Sequence, residues 1–124
     1  MKILVISPTY NEESLITEVI KGLPDFVDLV IVVDDYSQDS TTKVVVDLAS
    51  QRTNLHLIKH NSNKGVGAAI KTGYKFGLDH DSEIMVIMAG DNQMNPEDLP
   101  RLLDAIVEHG ADYSKGNRLF SDQK

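Results

Sequence analysis

Two apolar runs, Leu29-Val30-Ile31-Val32-Val33 and Ile84-Met85-Val86-Ile87-Met88, set the strongest limit on what this chain can fold into. Successive side chains of a strand point to opposite faces, so a run that is apolar at every position must be covered on both sides. Strands of that kind belong to a parallel sheet with helices above and below it.

The rest of the sequence supplies such a frame. Lys2–Ser7, Asp28–Asp34, Asn54–Lys59, Glu83–Ala89 and Asp112–Gly116 read as strands. Between them run helical stripes at the i, i+3, i+4 spacing. They are Leu15, Ile16, Val19, Ile20 and Leu23, then Val44, Val45, Leu48 and Ala49. Val66, Ala69, Ile70, Gly73, Tyr74 and Gly77 form a third, and Leu99, Leu102, Leu103, Ile106 and Val107 a fourth. Asn11 is placed to cap a helix opening with Glu12 and Glu13, and Asn95-Pro96 to open another. Gly22 and Gly110 suit helix ends. The methionines at 85 and 88 read as core. With right-handed crossovers the predicted fold is α/β, a doubly wound, mainly parallel sheet with helices on both faces. The 124 residues suffice for a single domain, 1–124, with one core.

Composition narrows the partners. Twelve basic against 19 acidic side chains give a formal charge of -7, which repels a nucleic-acid backbone. There is no cysteine, so disulfides, thiolate metal sites and thiol chemistry are excluded, and a cytoplasmic, reducing setting is expected. The apolar runs fall far short of the roughly 20 residues that cross a bilayer. His56, His60, His80 and His109 are scattered without metal-ligand spacing and receive no role.

In sheets of this type ligands bind outside the carboxyl ends of the strands. The chemically suggestive residues cluster there: Pro8-Thr9-Tyr10-Asn11-Glu12, Asp34-Asp35-Tyr36-Ser37, Asn61-Ser62-Asn63-Lys64-Gly65, Gly90-Asp91-Asn92-Gln93 and Lys115-Gly116-Asn117-Arg118. The opposite rim is polar but bland. Tyr10 offers a flat ring for stacking a base, or a loop aromatic packed on the core. Asp34 and Asp35, adjacent carboxylates at a strand end, repel unless bonded or paired. One reading has one of them cap the next helix, as Ser37 or Asp39 could equally do; the other has Asp35 accept hydrogen bonds from a nucleobase or ribose. The Asn63-Lys64-Gly65-Val66-Gly67 segment suits either helix capping or a phosphate held by backbone N–H groups. Asp91 and Gln93 are oxygen donors of the type that holds a hard divalent cation on a diphosphate. Arg118 reads as a phosphate clamp or as a partner for a surface carboxylate.

Taken in order, these blocks resemble family 2 glycosyltransferases of GT-A fold, especially dolichol-phosphate mannose synthase and bacterial polyprenyl-phosphate glycosyltransferases. The likeness is carried by Pro8-Thr9-Tyr10-Asn11-Glu12-Glu13, Val32-Val33-Asp34-Asp35-Tyr36-Ser37-Gln38-Asp39 and Asn63-Lys64-Gly65-Val66-Gly67-Ala68-Ala69. It continues in Asp91-Asn92-Gln93-Met94-Asn95-Pro96-Glu97 and Gly116-Asn117-Arg118. The resemblance implies a Rossmann-like, nucleotide-sugar-binding half of a GT-A catalytic domain. Pro8, Tyr10, Glu12, Lys64 and Gly65 would line the nucleotide pocket and Asp35 would read the base. Asp91 and Gln93 would hold a magnesium or manganese ion, and Asp91 and Arg118 would serve the transfer. Ala89 departs from the family pattern, standing where the first aspartate of the Asp-x-Asp motif is expected.

The activity implied is inverting transfer of a hexose from a nucleoside diphosphate sugar to a polyprenyl or dolichyl phosphate, or to a glycan. An ionised lipid phosphate would need no strong protein base; a sugar hydroxyl would need a carboxylate, expected beyond residue 124. Membrane contact is expected only through parts absent from this chain, with the full-length protein at the cytoplasmic face of a membrane. Homo-oligomers are left open, and the chain reads as a truncated domain that binds donor even where it transfers nothing. Two other readings stay in view. A receiver-type signalling domain would carry its acidic pair after the first strand, and a nucleotidyltransferase would carry a glycine- and arginine-rich loop there.

Overall fold

The structure is a computed structural model that describes residues 2–88 and the backbone of residues 119–121. Four parallel strands, β1 (Ile3–Thr9), β2 (Leu29–Asp34), β3 (Leu55–Lys59) and β4 (Ile84–Ile87), alternate with three helices. The helices are α1 (Ile16–Lys21), α2 (Thr41–Ala49) and α3 (Val66–Asp79). A short strand, β5 (Leu119–Ser121), pairs antiparallel with β4, giving the order β3-β2-β1-β4-β5. The expected doubly wound α/β frame is present. The predicted fifth strand at 112–116 and the helix through Leu99–Val107 lie outside the described residues.

Alternation along each strand explains why both faces are dry. Ile3 and Val5, Val30 and Val32, and Ile84 and Val86 face one side, packed with Ile16, Ile20 and Leu23 of the α1 segment and Val45 of α2. Leu4 and Ile6, Ile31 and Val33, and Met85 and Ile87 face the other, packed with Ala69, Ile70, Tyr74 and Phe76 of α3. The chain steps outward from β1 to β3, then returns to the far side of β1 to make β4. A right-handed crossover that reverses direction must change faces, so α3 lies opposite α1 and α2.

The third stripe is flatter than its residues suggest. A Cβ on Gly73 would stand 2.3 Å from Ile6 Cγ2, and one on Gly77 2.6 Å from Met85 Cε. These glycines let α3 settle directly on β1 and β4. Val66, assigned to the same stripe from its spacing, is instead 63% exposed at the helix start. Met85 and Met88 are buried, as core methionines should be.

Asn11 does not cap a helix. The residue lies in the left-handed region at φ 51, and α1 begins only at Ile16, behind Leu15, without a side-chain cap bond. The Asn11 side chain faces a different partner, described below. Gly22 does end α1, its N–H donating to the Glu18 carbonyl at 3.0 Å. Among the described residues no helix is long and apolar enough to cross a membrane.

Candidate nucleotide site at the strand ends

Parallel pairing brings the carboxyl ends of β1, β2 and β3 to one rim, with Thr9 opposite Asp34 and Asp34 opposite Lys59. The loops after β1 and β2 are tied together there. The Asn11 N–H donates to Ser37 Oγ at 2.9 Å, and the Gln38 N–H donates back to Asn11 Oδ1 at 2.8 Å. The Glu12 N–H donates to Thr41 Oγ1 at 2.9 Å, and the Thr41 hydroxyl in turn donates to Asp39 Oδ1 at 2.5 Å. Asp39 also accepts the Thr41 N–H at 2.9 Å. Burial raises the Asp39 pKa, but the bonds from Thr41 and the Glu13 N–H outweigh it and hold the group below its ordinary value.

The two adjacent aspartates have separate tasks. Asp34 is fully buried and accepts the Ser37 N–H at 3.0 Å and the Ser37 hydroxyl, with Thr42 Oγ1 at 3.4 Å. It shapes the turn that carries Tyr36, a non-glycine residue held at φ 68. Asp35 points the other way, toward α3. Its Oδ1 meets His60 Nδ1 at 2.8 Å and accepts the Lys64 N–H at 2.9 Å; its Oδ2 accepts the Gly65 N–H at 2.8 Å. Burial pushes the Asp35 carboxyl up, and the bonds from His60, Lys64 and Gly65 more than cancel that, so its pKa lies below the usual value. An ionised Asp35 is acceptor only, which makes His60 the Nδ1–H donor. The far nitrogen, Nε2, meets Thr72 Oγ1 at 2.9 Å, and that hydroxyl bonds the Ala68 carbonyl at 3.0 Å.

His60 is the residue the sequence pattern missed. It sits one position past β3, 8% exposed, and its N–H bonds the Asp34 carbonyl at 2.8 Å. The readable signal is register: Asp35 and His60 each follow directly on residues paired across β2 and β3. The backbone N–H groups of Lys64 and Gly65, considered for a phosphate, are committed to Asp35 instead. Gly65 adopts φ 95, a conformation that suits glycine and lets two consecutive N–H groups converge on one carboxylate.

Around this anchor lies an open recess lined by Pro8, Thr9, Tyr10, Asp35, Val66 and Ala69. Tyr10 is 43% exposed and Val66 63%, so two exposed side chains with apolar surface share the lining with the buried carboxylate of Asp35. That combination suits a flat, partly polar ring. Three of the expected pocket residues, Pro8, Tyr10 and Asp35, therefore share one cavity, and Lys64 and Gly65 border it through their hold on Asp35. Glu12 is not part of the lining; it lies in the stapled loop, its N–H on Thr41. Asp91, Gln93 and Arg118 lie outside the described residues. Among the described residues no cluster of three or more His, Asp or Glu side chains could hold a metal ion. Asp34, Asp35 and Asp39 are already engaged by internal donors.

The chain is 34% identical over 130 residues to the UDP-N-acetylglucosamine–dolichyl-phosphate N-acetylglucosaminyltransferase of Methanococcus voltae, covering 94% of this chain and 52% of that protein. It resembles the structure of S. aureus TarS 1-349 in complex with UDP, with a TM-score of 0.73 and 33% identity over 90% of this chain and 34% of that one. A mannosyltransferase, PcManGT from Pyrobaculum calidifontis, solved with GDP-Man and Mn2+, is also 33% identical, with a TM-score of 0.62 over 73% of this chain and 27% of that one. The chain spans about half the length of the curated relatives it matches. The family model described as Glycosyl transferase family 2 matches residues 4–124, and the chain accordingly belongs to that family, with the GT-A fold its motifs imply.

Proposed function

We propose that this chain is the donor-binding half of a glycosyltransferase that moves a hexose from a nucleoside diphosphate sugar to a lipid phosphate, with inversion at the anomeric carbon. The observation that carries the reading is the shared recess: Tyr10, Val66 and the carboxylate of Asp35 line one cavity at the carboxyl rim of the sheet. Tyr10 would stack on the base and Asp35 would accept from its edge, leaving the sugar diphosphate to extend along the rim.

Asp91 and Gln93 would hold a divalent cation, as their likeness to the family's metal motif implies. Such a cation, magnesium or manganese, supplies positive charge to the diphosphate of the leaving nucleotide. Arg118 would add a second positive charge at the same phosphates, so charge developing on the departing group is met by two cations. An acceptor lipid phosphate is largely ionised near neutral pH, its second pKa being about 6, and needs no protein base. The crystallised relatives carry UDP in one case and GDP-Man with Mn2+ in another, which supports a nucleotide-sugar donor and a cation here. Placement at a cytoplasmic membrane face, and any homo-oligomer, belong to the same proposal.

The test is thermal denaturation with UDP, GDP and dTDP, with and without manganese, for the native chain and for Asp91→Asn. Stabilisation by a nucleotide that manganese deepens, and that Asp91→Asn deprives of its metal component, is expected. A folded native chain indifferent to all three nucleotides refutes the reading.

A further inference from the structure

A carboxylate offers about four lone-pair positions on its two oxygens. At Asp35 three are occupied by partners on the page: His60 Nδ1 and the Lys64 N–H on Oδ1, and the Gly65 N–H on Oδ2. Among the described residues that leaves one acceptor position, on Oδ2, and Asp35 lines the recess beside Tyr10. The two backbone donors follow from the turn into α3. His60 is the one side chain among the three, and Thr72 holds its far side.

We propose that His60 is a specificity-determining positioning residue: by taking the second acceptor position of Asp35 Oδ1, beside the Lys64 N–H, it leaves a single acceptor on Oδ2, so the recess selects a base presenting one imide N–H, as uracil or thymine does. The inference rests on the nucleotide-binding reading of the recess. Guanine presents an N–H and an amino group side by side and pairs with a carboxylate through both oxygens. With Oδ1 already filled, one of those donors goes unmatched on entering the site. Cytosine presents a ring nitrogen lone pair where uracil has its N–H, and that lone pair faces the carboxylate charge. The recess thus discriminates against guanine by an unmet donor and against cytosine by repulsion. An unmatched buried donor weakens binding by about tenfold or more.

Isothermal titration of the 124-residue chain with UDP, GDP and CDP, each with manganese, tests this directly. The expected order is UDP tighter than both others by at least about tenfold. In His60→Leu, which removes both ring nitrogens, the UDP preference over GDP should fall to within about threefold, because Asp35 regains an acceptor and loses its fixed orientation. In His60→Asn the amide N–H stands near the place of Nδ1–H and should restore most of the preference. That rescue separates a role in selectivity from a merely structural one. Circular dichroism checks folding. If His60→Leu does not fold, Thr72→Val serves in its place; it removes only the hydroxyl steadying the ring, and it should narrow the preference part of the way. GDP or CDP binding as tightly as UDP overturns the inference and leaves the nucleotide reading standing. An unchanged preference in the folded His60→Leu or Thr72→Val chain also overturns it. Failure of every nucleotide to bind a folded native chain ends both.

Discussion

Replacing Asp35 by alanine should cost this chain about 2–4 kcal/mol of stability at pH 7, and the structure shows where that figure comes from. Three donors converge on the carboxylate: His60 Nδ1–H and the backbone N–H groups of Lys64 and Gly65. Hydrogen bonds to a charged group contribute about 1.5–3 kcal/mol each, or roughly 4.5–9 kcal/mol in total before losses. Two effects reduce this. Lys64 is exposed and Gly65 half-buried, so water can take over their N–H groups, and deleting the carboxylate also removes its own desolvation cost. The buried His60 is left with an unmet donor, which by itself costs about 1–3 kcal/mol. For 124 residues an unfolding entropy of about 2.1 cal/mol/K per residue turns a loss of about 3 kcal/mol into a Tm drop of roughly 10 °C. Equilibrium urea unfolding should show the loss as a lower midpoint at unchanged slope. Asp35→Asn keeps the volume but turns one acceptor into a donor facing an N–H, so it should recover little. The pH dependence has a fixed sign. Asp35 titrates lower in the folded chain than in the unfolded one, so its contribution is complete above the unfolded value of about 4 and fades as pH falls through the folded value. The gap between native and Asp35→Ala should therefore hold from pH 7 to 5 and shrink below pH 4. A loss under about 1 kcal/mol at pH 7, or a gap that widens in acid, would refute the three-donor anchor.

Glycine positions give sharper contrasts. Gly65→Ala and Gly67→Ala both place a Cβ in open space, but only Gly65 has a positive φ, 95. The first should destabilise by about 1–2 kcal/mol and the second should be neutral or stabilising by up to about 1 kcal/mol, read by thermal denaturation. Gly73→Ala drives a methyl to 2.3 Å from Ile6 Cγ2, so overpacking of about 1–3 kcal/mol should outweigh the gain of about 1 kcal/mol in helix propensity. Replacing Ile6 by alanine as well should give a total below the sum of the two single losses. Tyr10→Ala should leave stability within about 0.5 kcal/mol, since the ring is 43% exposed, while weakening UDP binding about tenfold or more by titration calorimetry.

Much of this architecture is legible in the residues because the controlling pattern is local. The runs at Leu29–Val33 and at Ile84–Met88 announce strands covered on both faces, and their alternation correctly divides the two cores. Register between parallel strands is not local, and it decides the site. His60 carries no motif, and its spacing from the other histidines says nothing. Its role appears only once Lys59 is known to pair with Asp34, which sets the next two residues side by side. Asn11 shows the converse error. A good capping residue next to two glutamates reads as a helix start, yet its side chain bonds a loop 27 residues away. Local propensity lost to a tertiary partner there. β5 escaped for a further reason: its antiparallel pairing to β4 needs a return connection that no alternation of strands and helices signals. The family membership removes the receiver-type and nucleotidyltransferase readings.

The reciprocal bonds between Asn11 and residues 37 and 38 have a mechanical consequence. Because each loop donates to the other, neither can lengthen, shorten or swing without breaking a bond at both ends. The β1–β2 side of the recess thus behaves as a fixed wall. The start of α3 is tied to the same end of β2 through the Lys64 and Gly65 N–H groups on Asp35, so accommodation to a guest of different thickness falls to exposed side chains such as Tyr10 and Val66.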